Sequence, residues 1–253
     1  MRPLWLCFLV AAGCSNGSGG DLPVNPGGTP DGGALPDAFI PPDGIPGGSV
    51  DSMPGAINGR VCLAADPRAL TQLVSPTACA TTGAGGLTVS LGDQTAQTNA
   101  DGTFAIMPPT TSGALVWGVS GPNIVPSRML FSDYEIPALS TATFAQLLSD
   151  NAVTLLPGEG SIFVQIVRNG AGYVGVTAAT SPSSNYDAFY DGATATAWTQ
   201  TSTGSFGTVW FPGLDIGDAT ATVKATDGAS TSLTTAAQPI VPGGITFIDI
   251  VYP

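Results

Sequence analysis

Alternation of apolar and polar side chains marks several short segments of this chain as β-strands. Residues 87–91 (LTVSL) place leucine or valine at every second position, with threonine and serine between them. Residues 219–225 alternate alanine or valine with threonine or lysine in the same way, and the closing segment 245–252 (ITFIDIVY) is a further strong strand. This period of two is typical of strands with one buried face.

The strand predicted at residues 161–167 differs because both of its faces carry apolar side chains. Ile162, Val164 and Ile166 form one face, whereas Phe163 and Val167 lie on the other. An apolar second face needs a cover that excludes water. Either a helix or another β module could supply that cover.

Turn signals separate these short strands, as expected for an all-β fold. Residues 59–64 (GRVCLA) read as a first strand, and residues 99–102 (NADG) form a turn that precedes the strand 103–106. Another strand covers residues 115–119, with leucine, tryptophan and valine on one face. Many short strands between turns favour a β-sandwich.

A helix interrupts the strands at about residues 140–150. Phe144, Leu147 and Leu148 share one helical face, and Thr143 with Gln146 fits a capping box. We expect this helix to connect two β regions and to pack over the open end of a sandwich.

The order strand, glycine turn, strand, proline corner and strand occurs twice. In each copy the glycine turn opens a hairpin, its phenylalanine enters the core, and the proline corner carries the chain to the other sheet. The segments are residues 86–89, 101–104, 108–109 and 115–117 in the first copy, and 175–178, 203–206, 212–213 and 221–223 in the second.

Both copies resemble the carboxypeptidase regulatory-like domain, and the run DGTFAI at Asp101–Ile106 carries the resemblance best. The resemblance implies a prealbumin-like Greek-key sandwich for each copy, over about residues 56–253. An immunoglobulin-like or other sandwich is the alternative and leaves the architecture almost unchanged. The zinc domain that performs the chemistry in the carboxypeptidases has no counterpart here, so the resemblance implies no catalytic function.

These patterns predict an all-β fold of two tandem Greek-key sandwich modules joined by a short helix, behind a disordered N-terminal tether. The predicted parts are a signal peptide at 1–13, a tether at 14–55, module 1 at 56–137, a helical connector at 138–156 and module 2 at 157–253.

The first fourteen residues (MRPLWLCFLVAAGC) have the form of an export signal. Arg2 precedes an apolar run at residues 4–12, which is too short to span a bilayer. The small residues before Cys14 resemble the lipobox of bacterial lipoproteins, although Ala11 stands where leucine or valine is usual. An ordinary secretory signal cleaved near Ala12 is the alternative.

The lipobox resemblance implies cleavage before Cys14, diacylglycerol on its thiol, and a further acyl chain such as palmitate on the new amino terminus. Several acyl chains give firm membrane anchoring. Ser15 in the second mature position implies the outer membrane of the bacterial envelope. The segment that follows, residues 15–53, holds ten Gly, seven Pro and five Asp without Lys or Arg, and it predicts a disordered spacer.

Composition narrows the function classes. Eighteen acidic residues against six basic ones give a formal charge of −12, which argues against a nucleic-acid partner. The chain has no His, which removes Ser-His-Asp and Cys-His nucleophilic systems and His-ligated metals. We therefore predict a non-enzymatic protein without cofactor or metal, anchored to the membrane through Cys14 and binding an envelope protein or a glycan in a structural or adhesive role.

Two sets of candidate site residues follow. Cys62 and Cys79 are the cysteines left after the signal and the lipobox, and in an oxidising compartment they predict a structural disulfide; free thiols or an intermolecular bond are the alternatives. An aromatic segment with carboxylates could stack on sugar rings as a carbohydrate-binding surface, or its members could be core and edge residues of a hairpin. Its candidate ligand-binding residues are Tyr186, Asp187, Phe189, Tyr190, Asp191 and Trp198.

Overall fold

The computed structural model describes residues 55–70, 79–80, 82–110, 115–130, 135–215 and 220–253. The predicted signal peptide, Cys14 and the tether as far as residue 54 lie outside the described residues. Strands dominate the described residues, which confirms the all-β prediction.

Seven strands precede the helix within the described residues, and their apolar positions alternate as the sequence predicts. In the second strand Val89 and Leu91 are fully buried, while the residues between them are partly exposed. Gly102 has a φ of +86°, the left-handed conformation that the turn before the fourth strand requires. The strands are β1 (Ile57–Leu63), β2 (Thr88–Leu91), β3 (Gln94–Gln97), β4 (Thr103–Ile106), β5 (Val116–Ser120), β6 (Ser127–Leu130) and β7 (Glu135–Ala138).

The helix α1 spans Thr141–Asp150, which confirms its predicted position. Its N-cap is Ser140, three residues before the capping residue indicated by the sequence, because Ser140 has the extended backbone that an N-cap needs and its Oγ accepts the Thr143 N–H at 2.9 Å. Thr143 is therefore the third helical residue and not the cap. Phe144 and Leu147 are buried, so the helix packs on the core as well as connecting the two β regions.

In the described part of the chain after the helix there are nine strands. All but the last residue of β8 are buried, which agrees with the two apolar faces of its sequence. The strands are β8 (Gly160–Arg168), β9 (Ala171–Gly172), β10 (Thr177–Ser181), β11 (Phe189–Tyr190), β12 (Thr208–Leu214), β13 (Thr220–Thr226), β14 (Ser232–Thr234), β15 (Gln238–Pro239) and β16 (Ile245–Tyr252).

The strands form one large sheet and two small ones. The large sheet has the order β11-β12-β8-β16-β6-β5-β2-β3, with β9 beside β8. One small sheet has the order β4-β1-β7, and the other has β10-β13-β14 with β15 also paired to β13. The large sheet therefore contains strands from both predicted modules.

The last strand, β16, joins the strands of the two predicted modules in this sheet. It pairs in parallel with β8 along its whole length, and Ile245–Phe247 also pair in parallel with Ser127–Met129 of β6. The structure thus adds a connection that the sequence did not reveal: the two modules share a sheet, and the described residues of both modules belong to one compact unit. Parallel pairing of strands distant in sequence leaves no local turn signal, which is why the pattern of alternation missed it.

Two hydrophobic cores lie on opposite faces of the large sheet. Phe163, Trp210 and Phe247 point into the first core, together with side chains from the sheet β4-β1-β7 and from the helix. Neighbouring residues on the same three strands, including Val164 and Phe211, point into the second core with the sheet β10-β13-β14. Strands β8, β12 and β16 are therefore the middle layer of a three-layer arrangement, and the first core and the helix cover the second apolar face of β8.

Candidate functional site

The structure places most of the predicted aromatic segment in the protein interior. Tyr190 is 6% exposed and Trp198 only 1%, whereas Tyr186 and Phe189 are half-buried. The Trp198 ring meets Phe163 edge-on, and its Nε1–H donates to the Ala195 carbonyl oxygen at 2.9 Å. Tyr190 and Trp198 offer no open ring face, because both complete a core, which agrees with the alternative that these aromatics are core and edge residues. Sugar binding through the half-buried and exposed members of the segment stays a prediction.

Tyr190 joins two sheets. Its hydroxyl oxygen accepts the Ala178 N–H at 2.9 Å and donates to the Ala178 carbonyl oxygen at 3.2 Å, which ties β11 to β10. Burial raises the pKa of the Tyr190 phenol, so the group stays neutral. Because this neutral hydroxyl already donates one hydrogen bond and accepts another within the protein, we interpret Tyr190 as a structural residue and not as a ligand contact.

Asp191 organises a loop in the same region and is 2% exposed. Its Oδ1 accepts the N–H groups of Gly204 at 2.8 Å and Thr208 at 3.0 Å, while Oδ2 accepts the Phe206 N–H at 3.0 Å. Burial raises the pKa of Asp191, and these three N–H donors oppose that rise. The Asp191 carboxylate therefore holds residues 204–208 in place. Asp187, in the same aromatic segment, is exposed to solvent.

The segment after β1 reaches across to this loop. Arg68 pairs with Asp66 at 2.6 Å, its Nη1 donates to the Gly192 carbonyl oxygen at 3.0 Å, and its guanidinium lies 4.4 Å from the centre of the Phe206 ring. The buried Gln165 side chain accepts the Leu70 N–H at 3.2 Å. Sequence reasoning missed this latch, because nothing local to Arg68 indicates a partner more than a hundred residues away.

The predicted disulfide between Cys62 and Cys79 is confirmed. Cys62 lies on β1 and is 2% exposed, whereas Cys79 lies outside the named strands and is half-buried. The buried carboxylate of Glu135 stands beside the bond, with its Oε1 3.6 Å from the Cys79 Sγ. Among the described residues these three side chains form the group whose ligand atoms are close enough to hold a metal ion, since all lie within 4.8 Å of one another.

A cleft of about 200 Å³ lies beside β16, where the segment after β14 crosses the large sheet. Gln238 is 3% exposed, and its Oε1 has no hydrogen-bond partner among the described residues. An unpaired buried amide oxygen can accept a hydrogen bond from a small ligand. No local pattern in the sequence indicates this cleft, because its lining comes from three separate segments: Met129, Leu130, Thr235, Ala236, Gln238, Phe247, Ile248 and Asp249.

Comparisons with known proteins give little guidance. The chain matches no family model and no curated protein. Among solved structures it resembles the gamma-CGTase from Alkalophilic bacillus clarkii, with 15% identity and a TM-score of 0.20, over 65% of this chain and 23% of that one. The chain thus spans about a quarter of that enzyme, and a likeness of this strength carries no argument. Within the described ranges, no helix is long and apolar enough to cross a membrane.

Replacing Asp191 tests whether the aromatic segment is structural. Both carboxylate oxygens of Asp191 accept backbone N–H groups, so in Asp191→Asn the amide NH₂, which is a donor, must face one of these donors. We therefore expect the free energy of unfolding to fall by about 1–3 kcal/mol. Urea denaturation followed by circular dichroism measures the change. Asp187→Asn, on an exposed carboxylate of the same segment, is the matched control and should change stability by less than about 0.5 kcal/mol. Equal effects of the two substitutions would contradict a structural role for Asp191.

Proposed function

We propose that this chain is an exported, lipid-anchored protein of the bacterial cell envelope, and that its β unit is a non-enzymatic structural or adhesive element. The anchor rests on the lipobox-like residues before Cys14, and the outer membrane is the proposed destination because Ser15 follows Cys14. The tether predicted between Cys14 and the first strand would hold the folded unit away from the lipid headgroups. It would reach on the order of 100 Å if extended as polyproline.

The observation that carries the structural role is the shared sheet. Strands β12, β8 and β16 are apolar on both faces and lie between two cores. The first core combines residues of both modules, so bending one module against the other would expose that core to water. Cross-module contacts of Arg68 and Gln165 add polar ties at the same junction. A body that resists bending keeps the surfaces that it presents at fixed positions relative to one another.

An envelope protein or a glycan is the proposed partner. Within the described residues, the cleft at Gln238 has the lining best suited to a small hydroxylated ligand. Apolar side chains such as Leu130 and Ile248 line it beside the unpaired Oε1 of Gln238. A sugar ring presents an apolar C–H face and hydroxyl donors, which matches such a lining. The volume of about 200 Å³ has room for roughly one ring.

Replacing Cys14 tests the anchor. Cells that express the full chain and are fed an alkyne-tagged palmitate analogue should label the wild type, and the protein should partition into the detergent phase of a Triton X-114 extract. Cys14→Ser should lose the label and move to the aqueous phase, because no thiol remains to carry diacylglycerol. Cys7→Ser, inside the predicted signal peptide, is the matched control and should behave as the wild type. Labelling that persists in Cys14→Ser would overturn the lipid anchor.

Replacing Gln238 tests the binding role separately. Retention of the protein on immobilised envelope polysaccharide should fall at least about tenfold in Gln238→Leu, because the acceptor oxygen is lost. Gln200→Leu, at an exposed position of the folded unit, is the control and should be retained as the wild type. Equal retention of all three proteins, or no retention of any, would contradict glycan binding at this cleft and leave an envelope protein as the partner.

A further inference from the structure

Three side chains that can bind a metal ion, those of Cys62, Cys79 and Glu135, meet on the outer face of the sheet β4-β1-β7. Arg60 and Cys62 lie two positions apart on β1 and so share a face, and Glu135 on β7 is the register partner of Arg60. The side chains on the opposite face of these strands, such as Val61 and Ile136, point into the first core. Cys79 covers the outer face, where its backbone forms a bridge with Ala64.

The spacing of the Cys79 sulfur and the Glu135 oxygen is close to that in a tetrahedral zinc site. With Zn–S of about 2.3 Å and Zn–O of about 2.0 Å, a thiolate sulfur and a carboxylate oxygen on one zinc ion lie about 3.5 Å apart. The Cys79 Sγ and the Glu135 Oε1 are 3.6 Å apart, and all three ligand atoms lie within 4.8 Å of one another. The carboxylate therefore already stands at a ligand's distance from one sulfur.

We propose that reduction of the Cys62–Cys79 disulfide creates a zinc site, in which both thiolates and the Glu135 carboxylate bind the ion and a water molecule takes the fourth position. An external dithiol is the reductant. Its two thiols become a disulfide as the Cys62–Cys79 bond breaks, and the two electrons and two protons pass to the cysteines as two thiols. Binding of Zn²⁺ then releases those two protons to solvent.

The movement that this change requires is small. Two thiolates on one zinc ion lie about 3.8 Å apart, so the sulfurs must separate by roughly 2 Å once the bond is broken. Cys62 is held by pairing of β1 with β7, whereas Cys79 lies outside the named strands and is half-buried. A change of side-chain rotamer moves a sulfur by about 3 Å, so rotation at Cys79 is sufficient and leaves β1 in place. Its partial exposure also admits the reductant.

The charge balance favours a divalent cation here. Two thiolates and one carboxylate carry −3, and Zn²⁺ reduces this to −1. Arg60 lies on the same face of β1 as Cys62, and its buried Nε has no hydrogen-bond partner among the described residues. A guanidinium beside the cysteines would favour thiolates over thiols and offset the remaining negative charge.

Zinc binding by the reduced chain tests this inference. The full chain with Cys7→Ser and Cys14→Ser, without an affinity tag, is reduced with excess dithiol under argon, desalted and titrated with Zn²⁺. The absence of His in the chain keeps the background low. We expect one equivalent of tightly bound zinc, and with Co²⁺ the thiolate-to-cobalt charge-transfer band and the visible bands of tetrahedral cobalt. The oxidised protein should bind neither ion tightly.

Variants separate this site from adventitious binding by two thiols. Glu135→Gln should weaken the zinc affinity at least about tenfold and alter the visible cobalt spectrum, since one ligand is lost. Glu159→Gln, at another buried glutamate remote from both cysteines in sequence, is the matched control and should bind as the parent does. No stoichiometric zinc in the reduced parent, or the same affinity and spectrum in Glu135→Gln, would overturn the proposal.

A second measurement keeps the test valid if reduction unfolds the chain. The reduced chain is then refolded with and without Zn²⁺, and its melting temperature is recorded by circular dichroism. Zinc should raise the melting temperature of the parent and of Glu159→Gln, because binding to the folded site stabilises the folded chain by mass action. The increase should be much smaller in Glu135→Gln. The same increase in all three proteins, or none in the parent, would overturn the site.

Discussion

The parallel insertion of β16 between β6 and β8 is the interaction on which the rest of this structure depends. Ile245 and Phe247 enter the first core from one face of the strand, while Ile248 and Ile250 enter the second core from the other. A strand that is apolar on both faces can be stable only between two layers. The first core is therefore completed by residues of the second repeat, such as Phe163 and Phe247, whereas the second core is built from residues 162–252 alone.

The aromatic side chains follow from the same constraint. Trp210 stands next to Phe163, with ring centres 5.7 Å apart, and Phe144 of the helix meets Trp210 edge-on at 6.3 Å. Trp198 closes this cluster, which explains why a segment that looks suited to sugars is buried. The most aromatic part of the chain thus stabilises the junction, and the remaining candidates for binding are the cleft at Gln238 and the face around Cys62 and Glu135.

Local patterns predicted the parts of this fold that local physics decides. Alternation at residues 87–91 and 219–225 located β2 and β13, and the spacing of Phe144 and Leu147 located the helix. The disulfide followed from the elimination of the other cysteines. An aromatic segment has the same amino-acid composition whether it is buried or exposed, so the sequence of residues 186–198 could not show whether they form a binding surface or part of a core. The latch of Arg68 and the cleft lining depend on contacts between distant strands, which no window of the sequence contains.

The most direct test of the shared sheet is hydrogen exchange followed by mass spectrometry on Phe247→Ala, with Val251→Ala on the same strand as the control. Phe247 is 2% exposed and Val251 is 62% exposed. The account predicts that Phe247→Ala lowers the free energy of unfolding by about 3–5 kcal/mol. Protection should fall together in β5, from the first repeat, and in β8, from the second, while Val251→Ala leaves both nearly unchanged. Loss of protection in only one of the two repeats would show that they unfold independently and would contradict the account.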